Sequence, residues 1–307
     1  MDQANVVAVT GAAGLIGSSA FAALVAAGIP VRILAGPAAE TRRASLGAEM
    51  CIHADITDIA SLESLFQGVT TVVHAAGPPS VTESMQNPME FMRVHALGTT
   101  AVLEACVRMH VRRIVHISSA EVYGNTSSQA VLESQPLLAS SPYGAAKIGA
   151  EQMVRAFAIA GRVRAVVLRP FSVYGPGMST DGVVAQFLRQ AFSQSVIHVR
   201  DPRPVRDFCF ISDIAQAVVS ACSVPLKGFE VANLGSGIAT SIGDLALLAD
   251  ELGGSCGTQE RGEKRPAGTD VVRLVANTDH ARDLLGWSAT ISLRDGLKRT
   301  MDWVKMQ

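Results

Sequence analysis

The sequence of 307 residues has little charge and no excess of either sign, since 26 Lys and Arg face 27 Asp and Glu. Binding to nucleic acid or to an anionic membrane normally needs a clustered basic excess, so we predict neither partner. Charged residues make up only 17% and apolar residues 48%, which excludes a disordered chain. A chain of this length favours one large α/β body with a smaller lobe.

Cysteine is also scarce. The five cysteines are odd in number and include no C-x-x-C pair, which is typical of reduced thiols, so we predict a cytoplasmic protein. The seven histidines show no metal-ligand spacing, and no metal site is predicted. The uncharged run from Val6 to Gly28 has no basic segment before it and is interrupted by glycines, which favours a strand, a turn and a helix over a membrane span.

Short β-branched runs alternate with helical patterns through the first half of the chain. This alternation is typical of βαβ units, and continuous apolar runs are typical of parallel strands buried on both faces. We therefore predict a Rossmann-like, doubly wound parallel α/β sheet with helices near 14–27, 58–67, 88–110 and 142–160. The predicted strands are NVVAVT, VRIL, MCIHA, TTVVHAA, RRIVHIS and RAVVLRP.

A glycine pattern, TGAAGLIG, lies between the first predicted strand and the first predicted helix. Glycine allows a tight turn and close backbone approach, and a helix N-terminus presents free N–H groups to a pyrophosphate. We therefore predict a dinucleotide site formed by Gly11, Gly14, Leu15, Ile16 and Gly17.

The acidic residue that would bind the ribose hydroxyls of NAD is missing, because Ala35 and Gly36 stand where it is expected. Glu40 comes a few residues late. Arg42 and Arg43 could neutralise a 2′-phosphate, or they could form a solvated helix face. NAD is the predicted cofactor, and NADP stays open.

After Pro170 the predicted elements become shorter, and Pro- and Gly-rich stretches mark loops. We predict an NAD(P)-binding Rossmann domain over 1–170 and mainly a substrate-binding α/β lobe over 171–307, some segments of which return to the first core. The predicted elements there are a strand RDFCFIS and helices near 181–194, 212–222, 240–252 and 292–305.

Lysine is rare, with five residues in the chain, and Lys147 is the only one within the first 226. It follows Tyr143 by four residues in SPYGAAK, so the two share one face of a predicted helix. An ammonium beside a phenol stabilises the phenolate and lowers the pKa of the phenol. Lysine also offers a compact donor for ribose hydroxyls, whereas arginine is a planar fork. We therefore predict Tyr143 as a general base that Lys147 tunes.

The motif ISSAEVYG ends the fifth predicted strand. Ligands of open α/β sheets bind at the carboxyl ends of the strands. A serine hydroxyl at this place would bond the substrate oxygen that Tyr143 deprotonates, and we predict Ser119 rather than Ser118 for this role.

Together these motifs resemble the extended short-chain dehydrogenase/reductase superfamily, in particular the NAD-dependent epimerase/dehydratase family that acts on nucleotide sugars. The resemblance covers almost the whole chain. The motifs that carry it, in the family's order, are TGAAGLIG, ADITD, VVHAAG, HALGTTAVLEAC, ISSAEVYG, PYGAAK, LRPFSVYGPG, RDFCFISDIA, NLGSG and LLGW.

The resemblance implies further contacts with the cofactor and with a nucleotide-sugar substrate. The implied cofactor contacts, besides Tyr143 and Lys147, are Asp55 and Ile56 at the adenine, Ala75, Ala76 and Gly77 along the cleft, and Pro170 and Val173 at the nicotinamide. The implied substrate contacts, besides Ser119, are Ser172, Arg206 and Arg265, the arginines pairing with the diphosphate.

Two residues depart from the family pattern, because His95 and Ser172 stand where the family usually has Asn. The shorter hydroxyl at 172 removes an amide from the substrate side. The missing acid near Ala35 is a third departure.

Glu121 separates the possible reactions. Family dehydratases carry an Asp-Glu pair where this chain has Ala120-Glu121, so water loss has no obvious acid here. UDP-glucuronate decarboxylases carry a glutamate that matches Glu121. We predict a nucleotide-sugar epimerase that oxidises and reduces C4; the alternatives are an NADPH-dependent keto-sugar reductase, a decarboxylase that uses Glu121, and a catalytically silent NAD(P)-binding sensor.

The predicted helices near 88–110 and 142–160 are richer in Ala, Val and Leu than one sheet face requires. Similar family members pair through such helices. We therefore predict a homodimer that forms a four-helix bundle.

Overall fold

The computed structural model describes residues 6–36, 51–126, 128–193, 196–254, 257–262 and 271–306. The strands are β1 (Val7–Thr10), β2 (Val31–Ala35), β3 (Cys51–His53), β4 (Thr71–His74), β5 (Arg113–Ile117), β6 (Arg164–Pro170), β7 (Ser172–Tyr174), β8 (Ile197–Val199), β9 (Val205–Arg206), β10 (Phe208–Phe210), β11 (Phe229–Leu234), β12 (Thr240–Ser241), β13 (Thr258–Glu260) and β14 (Arg273–Leu274).

The helices are α1 (Leu15–Ala26), α2 (Ile59–Phe66), α3 (Val81–Gln86), α4 (Pro88–Phe91), α5 (Gly98–Arg108), α6 (Pro142–Ile159), α7 (Val183–Ser193), α8 (Ile211–Ser223), α9 (Ile242–Gly253), α10 (Asp279–Leu285) and α11 (Leu293–Val304). A π-helical segment, Met92–Leu97, joins α4 to α5, and a 3-10 turn covers Ala120–Tyr123.

Seven parallel strands form the central sheet, in the order β11-β6-β5-β4-β1-β2-β3. Alternate residues of each strand face opposite sides, so the sheet separates two apolar cores. On one face, Val9 and Ile33 join α1 and α8, and on the other face Ala8 and Leu34 join α2 and α5. The doubly wound Rossmann-like prediction is confirmed, and each of the six predicted strands is present.

The seventh strand of the sheet, β11, was not predicted. Its first three residues are only half buried, and it contains Glu230 and Asn233, so it lacks the continuous apolar run of the other strands. It nevertheless pairs with β6 along its whole length, from Phe229 to Leu234. A segment after Pro170 thus completes the sheet of the first half.

The predicted strand RDFCFIS is confirmed in part. Arg206 belongs to β9 and Phe208–Phe210 form β10, but α8 already begins at Ile211. The short helices α3 and α10 were not predicted, and the helix predicted near 88–110 contains the π-helical segment.

Helices α7, α9 and α11 pack against one another and extend the apolar core that α1 and α8 begin. Three short sheets, β10-β7, β12-β9-β14 and β13-β8, complete this part of the described chain. No helix within the described ranges is long and apolar enough to cross a membrane. Four of the cysteines are free thiols: Cys51, Cys106, Cys209 and Cys222.

Candidate active site

The glycine turn lies where the strand order reverses, because β1 has β2 on one side and β4 on the other. Gly11 has a φ of 71°, and a Cβ there would come within 2.6 Å of the Ala75 backbone. A Cβ on Gly17 would overlap the carbonyl oxygen of Gly11. The turn therefore excludes side chains at both positions, and it rests directly on the residues that follow β4.

The N-terminus of α1 fits an anionic group. Its N-cap residue, Gly14, provides no side-chain cap, and the first turn contains no acidic residue. A Cβ on Gly14 would meet no atom closer than the Gly11 carbonyl oxygen at 3.3 Å, so space remains in front of the helix. The first N–H groups of a helix have no acceptor within it, and here they can bind the pyrophosphate of a dinucleotide.

Asp55 and Ile56, the predicted adenine contacts, follow β3. The Asp55 carboxylate accepts hydrogen bonds from the Thr57 side chain at 2.6 Å and from Arg93 Nη1 at 2.8 Å. Hydrogen bonding from Arg93 holds the pKa of Asp55 well below its usual range. Ile56 is buried against Gly98, at which a Cβ would come within 2.6 Å of the Ile56 side chain.

The second strand ends at Ala35, as predicted, without an acidic residue at that point. Glu40, Arg42 and Arg43, the residues considered for the choice between NAD and NADP, lie outside the described residues.

Helix α6 begins at Pro142 and places Tyr143 and Lys147 on one buried face. The Ser141 hydroxyl caps the helix by accepting the Gly144 N–H at 3.1 Å. A Cβ on Gly144 would lie 2.6 Å from the Glu121 carbonyl oxygen, so the 3-10 turn packs directly on the first turn of α6. This close packing brings the residues after β5 to the phenol of Tyr143.

Tyr143 is 6% exposed, and its burial raises the pKa of the phenol to about 12. A hydrogen bond with the Ser119 side chain opposes that shift, and the charge of Glu121 adds to it. The spacing of Tyr143 and Lys147 had predicted that the ammonium of Lys147 lowers this pKa. In the structure desolvation outweighs any such effect, because a buried phenolate loses its hydration.

Lys147 is also buried, and its Nζ donates to the Ile117 carbonyl at the end of β5, at 2.7 Å. Burial lowers the pKa of this lysine to about 8, while the charge of Glu151 opposes the shift. The ammonium therefore titrates near neutral pH rather than near the usual value for lysine.

His95 lies against Tyr143, with ring centroids 5.3 Å apart and nearly perpendicular planes. Its Nε2 donates to the Pro78 carbonyl at 3.0 Å, and a Cβ on Gly77 would overlap the imidazole. Burial is the main reason that the pKa of His95 falls to about 2, so the ring is neutral. Ala75, Ala76 and Gly77 thus connect the glycine turn to the surroundings of Tyr143.

The two candidate serines have different surroundings. The Ser118 hydroxyl is buried and donates to Glu151 on α6. Ser119 is the N-cap of the 3-10 turn, accepts the Glu121 N–H at 3.2 Å and bonds with Tyr143.

The ion pair between Glu151 and Arg169 was not predicted from the sequence. The position of Glu151, four residues after Lys147, places it on the same helix face and was the available signal.

Three of the predicted contacts from the second half come from adjacent strands. Pro170 ends β6, and Ser172 and Val173 lie in β7. The Ser172 N–H donates to the Asp207 carbonyl at 2.9 Å, which places β7 beside the strand segment that carries Arg206. Arg206 is half-buried in β9. Arg265 lies outside the described residues.

The central sheet with its glycine turn after β1 is a Rossmann-type dinucleotide-binding fold, and a serine, a tyrosine and a lysine come together at the carboxyl end of β5. Residues 7–235 match the NAD dependent epimerase/dehydratase family. UDP-glucose 4-epimerase of Azospirillum brasilense is 31% identical over 321 residues, which cover 97% of this chain and 91% of that protein.

Two solved structures are similar over nearly the whole chain. MoeE5 in complex with UDP-glucuronic acid and NAD has a TM-score of 0.88 and 32% identity, covering 98% of this chain and 99% of that one. UDP-glucose 4-epimerase of Thermotoga maritima with UDP-glucose has a TM-score of 0.89 and 27% identity, with coverage of 98% and 99%. The chain belongs to the NAD-dependent epimerase/dehydratase family, and the prediction of NAD as its cofactor is confirmed.

The geometry of the glycine turn predicts that alanine substitutions at Gly17 and Gly14 have different effects. Gly17→Ala would force its methyl group into the Gly11 carbonyl and should destabilise the protein by roughly 1–3 kcal/mol. Gly14→Ala should cost less stability, because its methyl group would meet the Gly11 carbonyl oxygen at 3.3 Å, and should weaken NAD binding about tenfold or more, about 1.4 kcal/mol, because it crowds the N-terminus of α1. Thermal unfolding and calorimetric titration with NAD measure the two effects.

Gly182→Ala is the matched control, since it lies outside the glycine turn and the nearest atom to a Cβ at that position is Met178 Cε at 3.4 Å. Equal loss of stability in the Gly14 and Gly17 variants would contradict this interpretation of the turn.

Proposed function

We propose that the protein is an NAD-dependent epimerase that inverts C4 of a UDP-linked hexose, with Tyr143 as the general base. The main support is that the half-buried Ser119 and the buried Tyr143 and Lys147 lie together, next to the residues on which the glycine turn rests. The substrate class follows the relatives, which are named as a UDP-glucose 4-epimerase or bind UDP-glucose or UDP-glucuronic acid.

In this proposal the side chains hold and move one proton. Ser119 bonds the C4 hydroxyl, and Tyr143 takes its proton as the C–H bond at C4 is broken. NAD, when bound at the glycine turn, would supply the hydride acceptor for this carbon and the hydride donor for its other face. Tyr143 then gives the proton back, so the net reaction consumes no oxidant and no base.

The position of Lys147 gives it a role in this proton transfer. Its Nζ is held by the Ile117 carbonyl on the strand that leads to Ser119. A positive charge near the phenol favours the phenolate, and the high pKa of Tyr143 shows how much stabilisation the phenolate requires.

The reaction can be tested with UDP-glucose in D₂O, followed by mass spectrometry and NMR. We expect the C4 epimer with no deuterium on carbon, because the hydride returns without exchange. A product that has lost water or CO₂ would contradict the epimerase proposal. It would also be contradicted if the protein oxidised added NADPH while reducing a keto-sugar substrate.

Tyr143→Phe should lower turnover by about 10²- to 10⁴-fold, the usual contribution of a general acid–base group, while NAD binding persists. Tyr174→Phe is the matched control, because Tyr174 is also buried but donates to the Leu293 carbonyl in the other lobe. Full turnover in the Tyr143 variant would contradict its role as the general base, whereas a wild type that binds NAD without any turnover would favour the silent sensor.

Glu121 supports a second candidate, a decarboxylase, because its charge acts on Tyr143 and its carboxylate therefore lies near the reacting phenol. For an epimerase, Glu121→Gln removes a charge that raises the pKa of Tyr143. The phenolate then forms at lower pH, so we expect the rising limb of the pH–rate profile to move to lower pH while maximal turnover persists. A decarboxylase would instead lose its CO₂ release, measured with UDP-glucuronic acid.

We further propose that the outer sides of α5 and α6 pair with those of a second copy as a four-helix bundle. Leu97, just before α5, is 56% exposed, and Ile159 at the end of α6 is 66% exposed. An open groove runs between the two helices; its lining residues are Glu104, Val107, Arg108, Ala156, Phe157, Ala160 and Arg162. Apolar helix faces of this kind are normally covered.

The double variant Leu97→Glu/Ile159→Glu should convert a dimer into a monomer, because it places charged side chains in the apolar interface between the two copies. Sedimentation or solution scattering at micromolar concentration measures the change. Leu247→Glu, at an equally exposed position on α9, should leave the dimer intact. A wild-type chain that is monomeric at this concentration would contradict the proposal.

A further inference from the structure

A buried ion pair lies directly behind the candidate catalytic residues. Arg169 Nη2 and Nε donate to the two carboxylate oxygens of Glu151 at 2.6 and 3.0 Å. The side chains are 5% and 1% exposed, respectively. A fork-to-fork contact of this kind fixes distance and orientation together.

The other hydrogen-bond partners of the pair are uncharged groups. The Ser118 hydroxyl donates to Glu151, and Arg169 Nη1 donates to the Tyr123 hydroxyl at 2.7 Å and to the Glu133 carbonyl at 3.1 Å. The Tyr123 hydroxyl in turn donates to Asn233 Oδ1 at 2.7 Å. The network therefore joins β5, the 3-10 turn, α6, β6 and β11.

The members of the network are sequence neighbours of the reacting groups. Ser118 precedes Ser119, Glu151 follows Lys147 by one helical turn, and Arg169 precedes Pro170. A change in the distance between Glu151 and Arg169 would move α6 relative to the ends of β5 and β6. Tyr143 would then shift from Ser119.

The contribution of such a pair to stability is small. Removing two charges from water is expensive, and the attraction between them roughly offsets that loss, so a well-packed apolar pair is often as stable. Removing only one partner is strongly destabilising, because it leaves a buried charge. What an apolar pair does not reproduce is the fixed, directional contact between helix and strand.

We propose that the Glu151–Arg169 pair positions the face of α6 that bears Tyr143 and Lys147 against Ser119 and Pro170. This inference rests on the proposed function for its kinetic part only. Glu151 also acts on Lys147 by charge. Three histidines on neighbouring elements, His74, His95 and His116, interact with Lys147, and all three are neutral at pH 7 because burial lowers their pKa.

The double variant Glu151→Leu/Arg169→Met tests the proposal, because it removes the pair without leaving a buried charge. We expect thermal unfolding and NAD binding close to those of the wild type, with kcat about 100-fold lower and KM little changed, since small misplacements of a catalytic group have effects of that size. The control Glu251→Leu/Arg294→Met removes an exposed pair between α9 and α11 and should leave kcat unchanged.

A second measurement does not depend on activity. With five lysines in the chain, NMR of protein labelled with ¹³C at lysine Cε can follow the titration of Lys147, assigned with Lys147→Arg. The wild-type pKa of about 8 should fall in the double variant, because the opposing charge of Glu151 is gone. Arg169→Lys, which keeps both charges but loses the two-point contact, provides both measurements if the double variant does not fold.

A kcat or a Lys147 titration equal to that of the wild type would overturn the proposal. If the wild type shows no epimerase activity, the proposed function fails and the Lys147 titration in Arg169→Lys decides. Because both charges remain in that variant, a changed pKa of Lys147 reports a displaced α6 and supports the positioning role, and an unchanged one overturns it.

Discussion

Burial of three polar side chains along one face of α6 is the constraint on which the site depends. Tyr143, Lys147 and Glu151 follow one another at one-turn intervals, and none is more than 6% exposed. A buried polar group without a partner costs about 1–3 kcal/mol, so each must be paired on a neighbouring element. The partners are Ser119, the Ile117 carbonyl and Arg169, and pairing the helix with the sheet therefore also assembles the site.

A second set of contacts connects the cofactor turn to the same helix. Thr10, just before Gly11, bonds His74 Nδ1 at 2.7 Å, and His74 Nε2 bonds the Thr99 hydroxyl at 2.9 Å. Thr99 gives its own proton to the His95 carbonyl at 2.5 Å, so it accepts from His74, which places the proton of the neutral imidazole on Nε2. This hydrogen-bonded chain ends beside the phenol of Tyr143, and the turn and the phenol thus share one rigid support.

Sequence patterns predicted the features that depend on residues close together in the chain. The glycine turn and the spacing of Tyr143 and Lys147 are local signals. The turn lies between β1 and α1, and the two side chains lie on one face of α6, as predicted. The strand β11 and the partner of Glu151 depend instead on residues far apart in sequence, since Arg169 lies 18 positions after Glu151 on another element. The pKa of Tyr143 was misjudged for the same reason, because it depends on burial, which spacing does not report.

His95 illustrates how the backbone accommodates a departure from the family pattern. An imidazole is larger than the usual Asn side chain, and Gly77, with a φ of 126°, provides the space for it. The residue lies in the π-helical segment, and such wide turns occur often at functional sites. Because burial keeps this ring neutral beside Tyr143, the change adds no charge to the site. The charges that act on the phenol and the ammonium are therefore those of Glu121 and Glu151, respectively.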